Sequence, residues 1–211
     1  MKSSTARRAR RVYRQSARAE SAAHTGRRII DAFLELSRDH WYDEVTLAEI
    51  ARRAGVSVQS VIRRFGGKDG LIGAVMEAMG AEIGAKRAVP PGDVAGSIAR
   101  LCEVYEEHGE AVLRNLAQET RYRDVQRIVE FGRREHRRLT REAYAPWIDP
   151  LPPAEQVKAL DALVVATDIY TWKLFRRDMG RSAADARAAI TRFVNATLAE
   201  YTRKPIRGSA P

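Results

Sequence analysis

The chain has one cysteine, Cys102, in 211 residues, so no disulfide can form within it and no second thiolate is available to hold a metal. Its four histidines, His24, His40, His108 and His136, stand at no HExxH or other close ligand spacing, and no glycine-rich phosphate loop is present. Asp161, Asp168 and Asp178 do not form the aspartate cluster of a helical prenyl-diphosphate enzyme. These absences argue against an enzyme: no catalytic residue, cofactor or metal is expected, and Glu135-His136, inside a charged run, reads as solvated. Long apolar runs are missing too. The most apolar segment, Ala162 to Ala166, is soon interrupted by Asp168, far short of the roughly eighteen residues that cross a bilayer. No apolar stretch follows the basic N-terminus as it does in a secretory signal. The expectation is no membrane and the reducing cytoplasm.

What is present favours helices. Hydrophobic residues make up 45% and charged residues 30%, a globular balance, and Ala, Arg, Glu and Leu are good helix formers. The formal net charge of +10 is unevenly spread. Lys2, Arg7, Arg8, Arg10, Arg11, Arg14, Arg18, Arg27 and Arg28 face only Glu20, so residues 1–28 carry +8 of it. Such an end either binds phosphate by counterion release or tethers the chain to an acidic or membrane surface.

Along the chain, residues 1–24 read as a basic arm without a core of its own, and a first helix is predicted over 25–40, with Ile30, Phe33, Leu34 and Leu36 on one side. Thr46-Leu47-Ala48-Glu49 is a capping box, in which the threonine oxygen accepts a backbone N–H and the glutamate reaches back. Leu47, Ile50, Ala51 and Ala54 follow at helical spacing; Gly55 suits a sharp turn, and Ser57 caps a third helix bearing Val58, Val61, Ile62 and Phe65. Further helices are predicted over 69–86, 93–107, 110–119, 122–145, 153–179 and 182–203, with no competing strand pattern. The fold class is all-α: a helix-turn-helix domain over 25–68 and a larger helical domain over 69–211.

Ile29-Ile30-Asp31-Ala32, Thr46-Leu47-Ala48-Glu49-Ile50-Ala51, Ala54-Gly55-Val56-Ser57 and Phe65-Gly66-Gly67-Lys68-Asp69-Gly70-Leu71 together resemble the tetracycline-repressor-like (TetR) family of bacterial regulators. The likeness runs without gaps from Arg28 to Leu71. It implies that the helix starting at Ser57 enters the major groove of double-stranded DNA. Gln59, Ser60, Arg63 and Arg64 are then its polar reach, with glutamine suited to adenine and arginine to guanine, and Val58 or Ile62 can meet a thymine methyl. Gln59 and Arg63 are the expected base readers, Thr46 and Lys68 are expected at phosphates, and Arg27, Arg28 and Ser57 are further DNA-binding candidates. Three departures from the family pattern stand out. Ile62 replaces a tyrosine, Ser37 sits where an apolar residue is usual, and Trp41 replaces a glycine, which in a left-handed turn would cost ~1 kcal/mol. The arm arginines Arg7, Arg8, Arg10 and Arg11 either enter a neighbouring minor groove or form a tail that raises non-specific affinity. Deleting residues 1–20 is expected to weaken DNA binding and flatten its salt dependence; equal affinity and slope in a titration would count against the arm's role.

The resemblance also implies a homodimer through the last two helices, which sets two reading heads ~34 to 36 Å apart on a roughly palindromic operator. It implies an effector pocket among the middle helices, for an unknown small molecule whose binding tilts the fourth helix. Candidates are Cys102, Tyr105, Leu116, Phe131, Trp147, Thr167, Asp168 and Trp172, with Asp168 able to hold a cationic ligand or to pair with an arginine. The alternative is an architectural or nucleoid-associated DNA binder of the same fold that needs no effector.

Overall fold

In a computed structural model, which describes the backbone of residues 2–203 and the side chains of 20–202, the helix-forming composition becomes ten α-helices, and no strand occurs among the described residues. They fall into two compact units, Met1–Val75 and Met76–Pro211.

The first unit contains α1 (Lys2–Asp39), α2 (Leu47–Ala54), α3 (Val58–Phe65) and the start of α4 (Lys68–Arg87). Ile29, Ala32, Phe33 and Leu36 of α1 pack into a core with Val45, Ile50, Ala51, Ala54, Val61, Leu71, Ile72 and Val75. The small Ala51 and Ala54 supply the flat side of α2. The expected break between arm and first helix does not exist: α1 is continuous from Lys2, because residues 2–25 are rich in Ala and Arg and contain neither Pro nor Gly to stop it. The side chains of Arg7, Arg8, Arg10 and Arg11 lie outside the described residues. At the end of α1, Trp41 avoids the anticipated strain, since no described residue other than glycine has a positive φ. Instead the Trp41 N–H donates to the Glu44 carboxylate at 2.7 Å and the Glu44 N–H to the Trp41 carbonyl at 3.1 Å.

The second unit comprises the rest of α4, α5 (Val94–Leu116), α6 (Arg123–Ala143), α7 (Ala145–Ile148), α8 (Pro153–Ala166), α9 (Ile169–Lys173), a π-helical turn (Leu174–Asp178) and α10 (Ala183–Arg203). Its core joins Ile98, Leu101, Cys102 and Tyr105 of α5 to Leu160 and Leu163 of α8, Trp172 of α9, and Ile190, Val194 and Leu198 of α10. Two predicted boundaries move. Helices expected at 93–107 and 110–119 are one helix, because Gly109 is not a breaker but a buried notch for the Trp172 ring; a Cβ there would lie 2.8 Å from it. Conversely, the helix expected over 153–179 is broken at Thr167, and Asp168 starts a new one by accepting the Tyr170 N–H at 2.8 Å.

Because the Trp172 ring is 1% exposed and its Nε1 donates to Glu106 at 2.8 Å, it cannot yield to a methyl group at position 109. Overpacking of ~1–3 kcal/mol outweighs the ~1 kcal/mol that alanine gains over glycine in a helix. G109A should therefore lower the urea midpoint with an unchanged slope, whereas a neutral or stabilising effect would mean that the ring moves freely.

Candidate nucleic-acid interface

Helix α2 begins where Thr46, in an extended conformation, accepts the Glu49 N–H on Oγ1 at 3.2 Å. Only half of the anticipated capping box forms. The Glu49 carboxylate turns to Arg52, whose Nε donates to it at 3.1 Å, and this contact is the main cause of the lowered Glu49 pKa. Helix α2 ends at Gly55, whose φ of 62° is left-handed and favours glycine. Arg28 reaches across from α1 and donates to the carbonyls of Ala54 and Gly55, tying the turn to α1. Ser57 then caps α3 by accepting the Ser60 N–H at 3.1 Å, and its hydroxyl lies 2.9 Å from that of Ser60.

Helix α3 is held by Val61, which is fully buried, while its other side faces outward. Gln59 and Arg63 lie one turn apart on that side and are exposed, and neither engages another described side chain. Beside them Val58 and Ile62 are each 38% exposed, so two apolar side chains flank the polar pair on the open surface. This is a short, rigidly capped helix presenting hydrogen-bonding and methyl groups together, which is the chemistry that base edges require.

The remaining candidates are placed differently. Arg27 is exposed on α1. Arg64 leans back: its guanidinium fills the space beside Gly26 that a Cβ would need, and it lies 5.7 Å from the Phe65 ring centre. Lys68 donates from Nζ to the Tyr42 carbonyl at 2.7 Å and sits 3.6 Å from that ring's centre. Arg28, Arg64 and Lys68 thus brace the unit, whereas Gln59, Arg63 and Arg27 project from it.

Residues 29–75 match the sequence profile of the bacterial regulatory proteins of the tetR family. Over these residues the chain is similar to the N-terminal domain of that family. Solved structures of similar fold include a transcriptional regulator from Rhodococcus sp. Rha1 (TM-score 0.64, 13% identity, 85% of this chain and 99% of that one covered). A putative TetR-family transcriptional regulator from Mesorhizobium loti MAFF303099 has a TM-score of 0.63 at 20% identity, covering 85% and 97%. A tetR-family transcriptional regulator from Streptomyces coelicolor has 0.60 at 19%, covering 87% and 93%. No curated protein sequence matches the chain. No helix among the described residues is long and apolar enough to cross a membrane.

In the C-terminal unit, Cys102, Tyr105 and Trp172 share one buried cluster, against which Leu116 and Trp147 pack. The Tyr105 hydroxyl donates to the Thr167 carbonyl at 3.0 Å, and its ring lies 6.1 Å from that of Trp172. Phe131 stands apart from the cluster, its ring against Gly80. The Asp168 carboxylate caps α9, and its charge also acts on Arg133. Burial pushes the Cys102 thiol up to about 11, so it is a poor nucleophile.

Three groups escaped the sequence reading. Glu82, Glu107 and His108 come together with ligand-type atoms within 4.8 Å of one another, but Lys86 Nζ already donates to Glu107 at 2.7 Å and lies 2.8 Å from Glu82. His136 is not solvated: it turns inward from α6 between Arg87, Val164 and Thr167. Arg87 was not among the candidates at all.

Because Arg87 can only donate, His136 Nδ1 accepts its N–H at 3.1 Å, which leaves Nε2–H for the Thr167 hydroxyl at 3.3 Å or the Val164 carbonyl at 3.4 Å. Burial, reinforced by the Arg87 charge, lowers the His136 pKa from 6.5 to about 4. Between those values the unfolded chain binds a proton that the folded chain refuses. The stability due to neutral His136 is thus complete above pH 6.5 and falls as the pH drops toward 4. From pH 7.5 to 5 the loss should be about 2 kcal/mol. H136Q should lose correspondingly less over the same interval in urea titrations; parallel losses would show that His136 is not the responsible group.

Proposed function

We propose that this chain is a sequence-specific DNA-binding transcriptional repressor that works as a two-fold homodimer and leaves a palindromic operator when a small-molecule effector binds its C-terminal unit. The observation that carries the reading is the outward edge of α3, where Gln59 and Arg63 stand exposed between Val58 and Ile62 on a helix capped at both ends. Ser57, Ser60, Thr46 and Arg27 supply hydroxyl and guanidinium groups near it for phosphate oxygens, and Arg28, Arg64 and Lys68 hold the elements that present them.

The dimer is supported by an apolar face on the C-terminal unit. Val157 and Val165, two turns apart on α8, are 53% and 67% exposed, and Phe193 of α10 is 46% exposed. With Asp161, Ala162, Ala166 and Thr171, Val165 and Phe193 line an open groove. Large apolar groups concentrated in this way on two adjacent helices suit burial against a second copy.

Selection of bound duplexes from random DNA by the full chain tests the reading. The expected product is an inverted repeat with half-sites about one helical turn apart. Enrichment of unrelated sequences, or of base composition alone, would sink it in favour of an architectural binder.

A further inference from the structure

The C-terminal unit contains a cation in an unusual setting. Arg87, the last residue of α4, is half-buried, and its only hydrogen bond among the described residues is the one it donates to neutral His136. A guanidinium has five N–H donors, and arginine is rarely buried without a carboxylate. None acts on it here: burial lowers its pKa, the groups that tend to raise it are the Tyr105 and Tyr144 phenols, and the Arg138 charge, itself bound to Glu135 and Glu142, lowers it further.

A second orphan lies one turn along α6 from His136. Thr140 is fully buried, and its Oγ1 has no hydrogen-bond partner. His136 and Thr140, four residues apart, stand on one face of α6, and Tyr144, which ends that helix, follows four residues later. Tyr144 is 1% exposed, and its hydroxyl accepts from Ser97 of α5 at 3.5 Å. The result is a polar stripe inside an apolar core, with an under-satisfied cation beside His136 and an unpaired hydroxyl in its middle. Each is costly to leave alone, and an anion is the kind of group that accepts from either.

We propose that Arg87, with the Thr140 hydroxyl as a neutral donor, binds the carboxylate of an organic monoanion in the C-terminal unit, and that this carboxylate is the recognition handle of the effector. The inference rests on the effector-controlled regulator proposed above and names the ligand's class. Charge balance selects the class. One guanidinium beside a neutral histidine and two phenols offers a single positive charge, which a carboxylate neutralises with paired N–H···O bonds, whereas a phosphate dianion would leave a buried excess. Tyr105, Tyr144 and Cys102, all buried nearby, make the surroundings apolar enough for a hydrocarbon or aromatic body rather than a sugar.

The test is a thermal-shift titration of the full chain with straight-chain acids from acetate to decanoate, benzoate and phenylacetate, each paired with its amide. At least one acid should raise the melting temperature saturably while its amide does not. In R87Q the affinity for that acid should fall roughly 10- to 100-fold, the loss of a charge-assisted pair. R87M in the ligand-free state gives a second reading: removing an uncompensated buried charge should leave stability unchanged or raised. Acids and amides acting alike, no response across the series, a shift that survives R87Q, or R87M destabilised like a core truncation would each overturn the proposal. Operator binding measured alongside separates the two readings. An acid bound through Arg87 that leaves DNA affinity untouched would keep the site and sink effector release. Release by a compound indifferent to R87Q would do the reverse.

Discussion

Replacing Gln59 and Arg63 together by alanine should abolish discrimination between operator and unrelated duplex while leaving the fold intact. Both side chains are exposed on α3 and engage no other described side chain, so their removal costs the monomer little. Each bidentate contact to a base edge contributes ~1–3 kcal/mol of discrimination, so the pair should lower selectivity by roughly 30-fold to 25,000-fold. Non-specific affinity should persist, because contacts to phosphate are made elsewhere and depend on salt rather than sequence. Fluorescence anisotropy on a selected operator and a shuffled duplex at one fixed salt concentration measures the ratio. An unchanged ratio would remove α3 from the recognition surface.

The second large effect is expected at Val165, where V165R should turn the proposed dimer into a monomer. At 67% exposure the side chain contributes little to the fold of its own subunit, so the folded protomer should survive. A two-fold interface repeats every substitution, and two like charges are then placed in a patch that dimerisation desolvates, at a cost of several kcal/mol. Sedimentation velocity should show one species of half the mass. Operator affinity should drop more than a hundredfold, on the order of the ~3 kcal/mol expected when one half-site must bind without its partner. A V165R protein that remains dimeric would move the interface away from α8 and α10.

The DNA-binding domain was legible because its signals are local. Thr46 and Ser57 cap the next backbone turns, Gly55 takes the left-handed conformation after Ala54, and Ile50, Ala51 and Val61 fall on the buried side at helical spacing. The same local logic failed at Gly109 and Asp168. A glycine in a helical pattern reads as a break and an aspartate amid apolar neighbours as a partner for a cation, yet Gly109 is a seat for a ring from α9, and Asp168 is the cap that creates that helix. His136 failed for a related reason. In Arg133-Arg134-Glu135-His136-Arg137-Arg138 charge surrounds it on all sides of the sequence, and only the 3.6-residue period relating it to Thr140 and Tyr144 shows that it faces inward.

The order of residues alone determined the helical class, the caps, the turn and the polar edge of α3, since each depends on groups within a few positions of one another along the backbone. Which charged groups brace the molecule and which stay available was decided only by packing. Arg28 closes a turn, Arg64 lies on Gly26, Lys68 binds a loop carbonyl and Arg87 is left facing a neutral imidazole, because a side chain's partner is set by which distant segment folds against it.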